Sequence, residues 1–226
     1  MATLTVYPDP GSGSTTCDGY VYHRWDPGRT WADITGWPTS THLSAVASSQ
    51  NLAGIICDTN ADKYSFLYRS IFTFDTSALT AGAIVSSAVF SVFANAGLVN
   101  TISPAQGIAL VGSNPASDNA LVAADYASLG VSLYAPALPL SSWATSSYND
   151  FTLNATGLAA ISKTGITKFG LTLDADRSNT EPTWVSGAQA RVGGYYVDQA
   201  GTANDPKLVI TYDASSPVGN RVIVVS

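Results

Sequence analysis

The sequence predicts an all-β fold, an antiparallel β-sandwich of the jelly-roll kind with one or two short helices. The recurrent pattern is a short alternating or apolar run that ends at Gly, Pro, Asn or Asp, which is typical of sandwich strands. Hydrophobic residues make up 46% of the chain and charged residues 12%, so the chain can bury a large core. Its 226 residues fit one sandwich domain, predicted over residues 1–212 and followed by an arm over residues 213–226.

The strands follow from alternation with a period of two residues. Residues 66–74 place Phe66, Tyr68, Phe72 and Phe74 on one side of a strand and Arg69 on the other. Residues 84–92 repeat the alternation after a Gly-containing turn and are predicted to pair with the preceding strand. Further strands are predicted at residues 3–7, 107–111, 151–153, 169–173, 191–197 and 207–212.

Two short helices are predicted near the ends of the sandwich. Residues 120–129 and 156–163 place Leu or Ala at helical spacing, and Gly130 and Gly165 stop them. Neither segment is long enough to form a second layer by itself, so the prediction stays with an all-β class.

The C-terminal arm differs in composition from the rest of the chain. Residues 213–220 read as a connector containing Ser, Pro and Gly, and residues 221–225 read as one more apolar strand. Val222, Ile223, Val224 and Val225 are therefore the candidate assembly residues. A strand of this kind can add to the exposed edge of its own sheet or of a neighbour's sheet.

Charge and hydropathy exclude several partners. Ten Lys and Arg against sixteen Asp and Glu give a net charge of −6, and the basic residues are scattered, which argues against nucleic acid. No apolar run reaches the roughly 20 residues of a membrane span, so membrane insertion is not expected. The first residues lack the pattern of a signal peptide, so synthesis as a soluble protein in the cytoplasm is expected.

The two cysteines leave two alternatives open. Cys17 and Cys57 form one disulfide if the protein is exported and their Cα atoms come within about 7 Å. In a protein that stays in a reducing compartment they are two reduced thiols, at least one of them buried.

Two neighbouring segments resemble a known family. Residues 68–77, Tyr-Arg-Ser-Ile-Phe-Thr-Phe-Asp-Thr-Ser, precede residues 84–90, Ile-Val-Ser-Ser-Ala-Val-Phe. This order resembles the DNRLRE-type domain, in which an Arg-containing strand ending in Phe-Asp-x-Ser precedes an Ile-x-x-Ala-x-Leu strand. The segment around residues 151–161 and the ending at residues 205–212, Asp-Pro-Lys-Leu-Val-Ile-Thr-Tyr, are similar to later parts of that family.

The resemblance implies both a fold and two kinds of function. DNRLRE-type domains are jelly-roll modules of secreted bacterial proteins, some of which bind acidic polysaccharides. Similar domains occur in tail and surface proteins of bacteriophages. The resemblance covers residues 16–212, and in this chain Phe90 stands where the family usually has Leu.

Arg69 is a candidate binding residue because it stands in an otherwise apolar strand. One hypothesis is that its guanidinium grips an acidic sugar through two parallel hydrogen bonds. The favoured interpretation is a half-buried ion pair with Asp75 or another acid, since a buried Arg without a partner is costly. Asp75 itself, followed by Thr76 and Ser77, is expected to accept backbone hydrogen bonds in a turn.

Aromatic residues cluster between positions 20 and 37, interrupted by Pro27-Gly28 and Gly36, and the region reads as a long loop. Trp25, Trp31 and Trp37 are candidate partner-binding residues, because exposed rings stack on sugars or anchor a protein partner. Core packing is an equally good interpretation, with Trp31 and Trp37 the better candidates for exposure.

Asp174, Asp176 and Glu181 form a weak candidate for a calcium site, because they offer oxygen ligands near one another in the sequence. The central Gly and the distal Glu of an EF-hand are missing, and Arg177 adds an opposing charge, so a solvated acidic loop is the favoured interpretation. No other cofactor is expected.

The sequence offers no catalytic motif. His23 and His42 are not spaced as metal ligands, and no Gly-x-Ser-x-Gly elbow or phosphate-binding loop occurs. The resemblance to a family that includes bacteriophage proteins, the missing signal-peptide pattern and the apolar arm together imply a non-enzymatic bacteriophage virion protein, a capsid decoration or tail-associated component made in the host cytoplasm. Its expected partners are other virion proteins and itself, as a symmetric homo-oligomer with a trimer preferred. The alternative is an extracellular carbohydrate-binding module that recognises an acidic polysaccharide.

Overall fold

The computed structural model describes residues 1–11 and 14–214. Thirteen β-strands dominate this part of the chain, and all of their pairings are antiparallel. The strands are β1 (Ala2–Val6), β2 (Asp18–Arg29), β3 (His42–Ser44), β4 (Ser49–Cys57), β5 (Tyr64–Asp75), β6 (Ile84–Asn100), β7 (Gly107–Ser113), β8 (Leu129–Leu133), β9 (Leu138–Pro139), β10 (Tyr148–Thr152), β11 (Ile166–Leu173), β12 (Gln189–Tyr195) and β13 (Lys207–Asp213).

The strand order is β1-β13-β6-β12-β4-β5-β11-β7-β8, so most neighbours in space are distant in sequence. The first and last of these strands in the sequence, β1 and β13, lie side by side, with Leu4 opposite Ile210. β10 also pairs with β6, β9 with β7, and β2 with both β3 and β5. Pairing between strands that are distant in sequence is typical of Greek-key and jelly-roll sandwiches.

An aromatic core shows the two layers of the sandwich. Phe90 of β6 lies 5.1 Å from Phe72 of β5 and 5.7 Å from Phe169 of β11, measured between ring centroids. Phe151 of β10 packs beside Phe90 at 6.1 Å. β6 and β10 are not hydrogen-bonded to β5 or β11, so these rings meet across the space between two layers. The all-β sandwich predicted from the sequence is confirmed.

Short helices occupy the connections. They are α1 (Trp31–Gly36), α2 (Ala155–Ala159) and α3 (Asp174–Arg177), with 3₁₀ turns at Ser77–Leu79, Ala123–Ala127 and Leu140–Ser142. The Thr30 hydroxyl caps α1 by accepting from the Asp33 N–H at 3.2 Å, and the Asn154 side chain caps α2 by accepting from the Gly157 N–H at 2.9 Å.

The predicted helix at residues 120–129 is wrong. The Asp125 carboxylate accepts from the backbone N–H groups of Val122 at 2.7 Å and Ala116 at 2.8 Å, which fixes a single 3₁₀ turn. Leu129 then pairs with Ser113 at the start of β8, so the chain is extended where a helix was expected. The second predicted helix is real but shorter, because α2 ends at Ala159.

Two predictions about strands are also wrong. β6 does not pair with β5: its neighbours are β10, β12 and β13, because the turn through Ser77–Leu79 carries the chain to the other layer. The aromatic region at residues 20–37 is not a long loop, since it forms β2 and α1. β4 was not predicted at all.

The turn at Asp75 is confirmed, because its carboxylate accepts from the Ser77 N–H at 2.9 Å.

Candidate functional site

Arg69 lies on β5 and forms a buried ion pair with Asp176 of α3. Its Nε and Nη2 donate to the two carboxylate oxygens of Asp176 at 2.8 and 2.6 Å. The remaining bonds run from Nη1 to the Tyr126 carbonyl at 2.6 Å and from Nη2 to the Thr35 carbonyl at 3.1 Å. The Arg69 side chain is 8% exposed and that of Asp176 is 2% exposed. The prediction that Arg69 pairs with an acid is confirmed, and the acid is Asp176 rather than Asp75.

The surroundings of the pair satisfy its other groups. The Thr172 hydroxyl donates to Asp176, and the Arg69 guanidinium lies 4.1 Å from the ring centroid of Tyr126. The Tyr126 hydroxyl in turn donates to the Ile34 carbonyl at 2.7 Å. Burial alone would lower the pKa of Arg69, but the adjacent carboxylate outweighs burial and raises it. The buried pair therefore joins β5, α1, α3 and the 3₁₀ turn before β8 into one unit.

An open cleft of about 310 Å³ lies over this pair. Trp37 and Arg177 are among the side chains that line it, and Arg69 and Asp176 contribute to its lining as well. Arg177 is held in place because its Nε donates to Asp174 Oδ1 at 2.6 Å. Each arginine of the cleft thus already has a carboxylate partner within the protein.

The three candidate tryptophans are all near the cleft but differ in exposure. Trp37 is 38% exposed and lines the cleft, whereas Trp25 is half-buried and meets the Trp37 ring in a T-shaped contact at 4.9 Å. Trp31 is 5% exposed, because it is the first residue of α1 and packs on Tyr64 at 5.4 Å. Its indole N–H donates to Asn179 Oδ1 at 3.1 Å. Of the two interpretations left open by the sequence, core packing is the one that holds for Trp31, and exposure is the one that holds for Trp37.

His23 is a buried member of the same cluster. Its ring stacks on Trp25 at 4.1 Å and meets the Tyr126 ring edge-on at 4.4 Å. Burial lowers the pKa of His23 to about 4, and the nearby Arg69 charge acts in the same direction. The residue is consequently neutral at pH 7 and serves as a packing group.

The calcium candidates do not converge. Asp176 is bound to Arg69, Asp174 is bound to Arg177, and Glu181 Oε1 accepts from the Tyr64 hydroxyl at 3.1 Å. Within residues 1–11 and 14–214, no group of three or more His, Cys, Asp or Glu side chains is placed to hold a metal ion. The carboxylates of this segment act as partners for hydrogen-bond donors of the protein.

The two cysteines are free and buried. Burial raises the pKa of Cys17 to about 11, and burial also raises the pKa of Cys57. Both side chains therefore pack as small apolar groups and are poor nucleophiles at neutral pH.

The sequence analysis missed a surface on the side of β5 that lies opposite Arg69 and the cleft. Registers place His42, Tyr22, Tyr68, Gly54 and Arg191 opposite one another, in one row across β3, β2, β5, β4 and β12. In the next row Arg24 of β2 lies opposite Phe66 of β5. Residues directly opposite on neighbouring strands share a face. We name this surface the aromatic–arginine face, and it comprises His42, Tyr22, Arg24, Phe66, Tyr68 and Arg191. His42 and Arg24 are exposed, Tyr22, Phe66 and Arg191 are half-buried, and Tyr68 is buried beneath them.

A signal for this face was present in the sequence. Tyr20, Tyr22 and Arg24 alternate with the buried residues Val21 and His23, which is the two-residue period of a half-buried strand. The Pro27-Gly28 pair obscured the pattern, although β2 continues through it to Arg29. The pairing of β2 with β5 and of β4 with β12 joins segments far apart in sequence, which no local pattern contains.

Comparison with known proteins gave no match, either to a protein-family model or to a curated protein sequence. The resemblance to the DNRLRE-type domain stays a prediction. No helix among the described residues is both long enough and apolar enough to cross a membrane. The candidate assembly residues Val222, Ile223, Val224 and Val225 lie outside the described residues.

Proposed function

We propose that this chain is a non-enzymatic structural protein of a bacteriophage particle, a capsid decoration or tail-associated component that works by assembly. The observation that carries the proposal is the free edge of β1. β1 pairs with β13 along one side, and no described strand pairs with its other side. Such an edge offers a row of backbone donors and acceptors to a strand from another chain.

The position of β1 relative to the arm supports assembly through strand addition. Ala2 lies opposite Tyr212, and the Met1 amino group lies 3.0 Å from Asp213 Oδ1. The arm therefore follows directly in sequence after β13, the strand that pairs with β1. Thr3 and Thr5 are exposed on β1, and neither adds a charge that would discourage pairing.

Light scattering tests this proposal on the full chain, on a chain ending at Ala214, and on a Thr3→Lys/Thr5→Lys variant. We expect the full chain to be a trimer or a larger oligomer, and both altered chains to be monomers with unchanged melting temperatures. Lysines on an edge strand oppose strand addition without disturbing the core. A monomeric full chain would contradict the proposal.

A polysaccharide-binding module is the second candidate, and the exposed Trp37 beside the cleft favours it. A sugar ring in the cleft would contact the indole, while Asn179 lines the same cleft. The Asn179 side-chain oxygen accepts from Trp31 and from the Thr35 hydroxyl, which leaves its amide N–H groups to donate to a ligand. Recognition of an acidic sugar by Arg69 has no such support, because the Arg69 guanidinium already forms a buried ion pair with Asp176.

Calorimetry with a uronic-acid oligosaccharide and a neutral oligosaccharide tests the second candidate. Trp37→Ala is expected to weaken binding at least about tenfold, and Tyr7→Ala is the matched control, since Tyr7 is 45% exposed and does not line this cleft. Equal binding by both variants would show that the oligosaccharide does not bind in the cleft. Trp31→Ala is unsuitable, because loss of a buried indole destabilises the fold itself.

A further inference from the structure

The aromatic–arginine face combines aromatic rings with two arginines, and neither the assembly edge of β1 nor the cleft includes them. Arg24 and Arg191 lie on it, and neither forms an ion pair with a carboxylate of the described residues. Arg191 instead donates to Gln189 Oε1 at 2.8 Å and to Asn51 Oδ1 at 3.3 Å, and Arg24 lies 5.7 Å from the ring centroid of Phe66. None of the six side chains of the face is acidic, on a chain whose net charge is −6.

Tyr22 lies at the centre of the stacked rings of the face. Tyr22 lies between His42 and Tyr68, with both centroid distances at 4.7 Å and interplanar angles of 7° and 34°. Neighbouring strands are about 4.8 Å apart, so these rings stack along the direction that crosses the strands. His42 thus stacks on one face of the Tyr22 ring and Tyr68 contacts the other face at a tilt, while the hydroxyl and ring edge of the half-buried Tyr22 remain for a partner. Ring edges carry partial positive charge, which adds to that of the two arginines.

Gly54 makes room for this arrangement at the centre of the row. A Cβ at this position would lie 2.4 Å from the Arg191 Cβ and 2.7 Å from its Cα. Glycine therefore allows β12 to approach β4 closely enough for Arg191 to share a face with Tyr68. Burial raises the pKa of the Tyr68 hydroxyl to about 12, and the charges of Arg191 and Arg24 act in the opposite direction.

We propose that the aromatic–arginine face docks an acidic surface of a partner protein, and this inference rests on the assembly function proposed above. Five strands at about 4.8 Å give a row roughly 20 Å wide, comparable to one side of a protein interface. Tyr and Arg are the residues most enriched in the centres of such interfaces. A sugar chain fits less well, because sugars stack on open ring faces and those of Tyr22 are covered.

Charge complementarity defines the partner. Carboxylates accept from the free guanidinium N–H groups and from the Tyr22 hydroxyl, and they lie favourably against ring edges. Binding of this kind is fast and sensitive to salt, since partly exposed charges are screened.

Fluorescence anisotropy with a labelled glutamate homopolymer, standing in for an acidic protein surface, tests the proposal on the full chain. The Arg24→Gln/Arg191→Gln variant is expected to bind at least about tenfold more weakly. The control Arg29→Gln/Lys163→Gln makes the same change in net charge away from the face and is expected to stay within about twofold. A uronic-acid oligomer of matched length serves as the second probe.

Each outcome is decisive. Absence of binding to the homopolymer, or equal losses in both double variants, overturns the docking surface. Binding of the uronic-acid oligomer in preference to the homopolymer also overturns it and assigns the face to a glycan. If self-association by light scattering is retained in any of these cases, the proposed assembly function stands and only the docking surface fails.

Discussion

Two regions of the molecule use arginine and aromatic rings in opposite ways, and strand β5 contributes to both. Arg69 points to one side of β5 and is buried against Asp176 and Tyr126, with four hydrogen bonds to the protein. Tyr68, its neighbour in sequence, points to the other side, where Arg24 and Arg191 have no carboxylate partner among the described residues. The difference lies in whether the fold itself supplies the acid.

Arg69 shows that an arginine in an apolar strand is not by itself a binding residue, because the protein can supply its partner. In the buried pair, Arg69 donates all four of its observed hydrogen bonds to groups of the protein, and these bonds hold β5, α1, α3 and the 3₁₀ turn before β8 together. The aromatic–arginine face keeps donors for a partner, which is the condition for recognition.

The largest expected effect is that of breaking the buried pair. Arg69→Met leaves the Asp176 carboxylate buried without a cation, and we expect a loss of about 3 to 5 kcal/mol in the free energy of unfolding. Chemical denaturation measures it. Arg69→Met/Asp176→Leu is expected to recover part of the loss, because it removes both charges. A single variant within about 1 kcal/mol of the parent chain would contradict the structural role.

The pH dependence of stability tests the burial of His23 beside the same pair. Its pKa of about 4 in the folded chain lies below the ordinary value of about 6.5, so the unfolded chain binds the proton more tightly between these values. The contribution of neutral His23 is therefore complete above pH 6.5 and is lost as the pH falls towards 4. We expect a loss on the order of 3 kcal/mol from this residue.

Denaturation of the parent chain and of His23→Phe across this pH range isolates the effect from that of other groups. The parent chain is expected to lose stability more steeply than the variant as the pH falls. Parallel curves for the parent chain and His23→Phe would show that His23 protonates without cost.

On the face, Gly54→Ala tests the close approach of β4 and β12. The added methyl group meets the backbone and Cβ of Arg191, so we expect a loss of about 1 to 3 kcal/mol in the free energy of unfolding. Gly36→Ala is the control, since nothing lies within 4 Å of its added Cβ. Equal stabilities of the two variants would show that the strands can separate without cost.

The smallest expected effect on stability is that of the two arginines of the face. Arg24→Gln, at an exposed position, should change the free energy of unfolding by no more than about 0.5 kcal/mol. Arg191→Gln loses the hydrogen bonds to Gln189 and Asn51 but no ion pair, so we expect a loss of no more than about 1 kcal/mol. Denaturation alongside Arg69→Met measures the contrast directly. A loss comparable to that of Arg69→Met would place these arginines among the structural ones.

Much of the fold could be predicted because single strands carry local alternation. β5, β7, β11 and β13 were found from their patterns, and the Arg69 ion pair followed from the cost of burying a charge. The identity of its partner could not be predicted, because Asp176 lies 107 residues away. The face was missed for the same reason, since it arises only where five strands are placed side by side.

The most direct test of the central contrast is hydroxyl-radical footprinting of the full chain with and without the glutamate homopolymer, read by mass spectrometry. We expect the homopolymer to protect Tyr22, Phe66 and His42 from oxidation and to leave the oxidation of Trp37 unchanged. Protection of Trp37 with no change at Tyr22 would contradict it and would move the binding surface to the cleft.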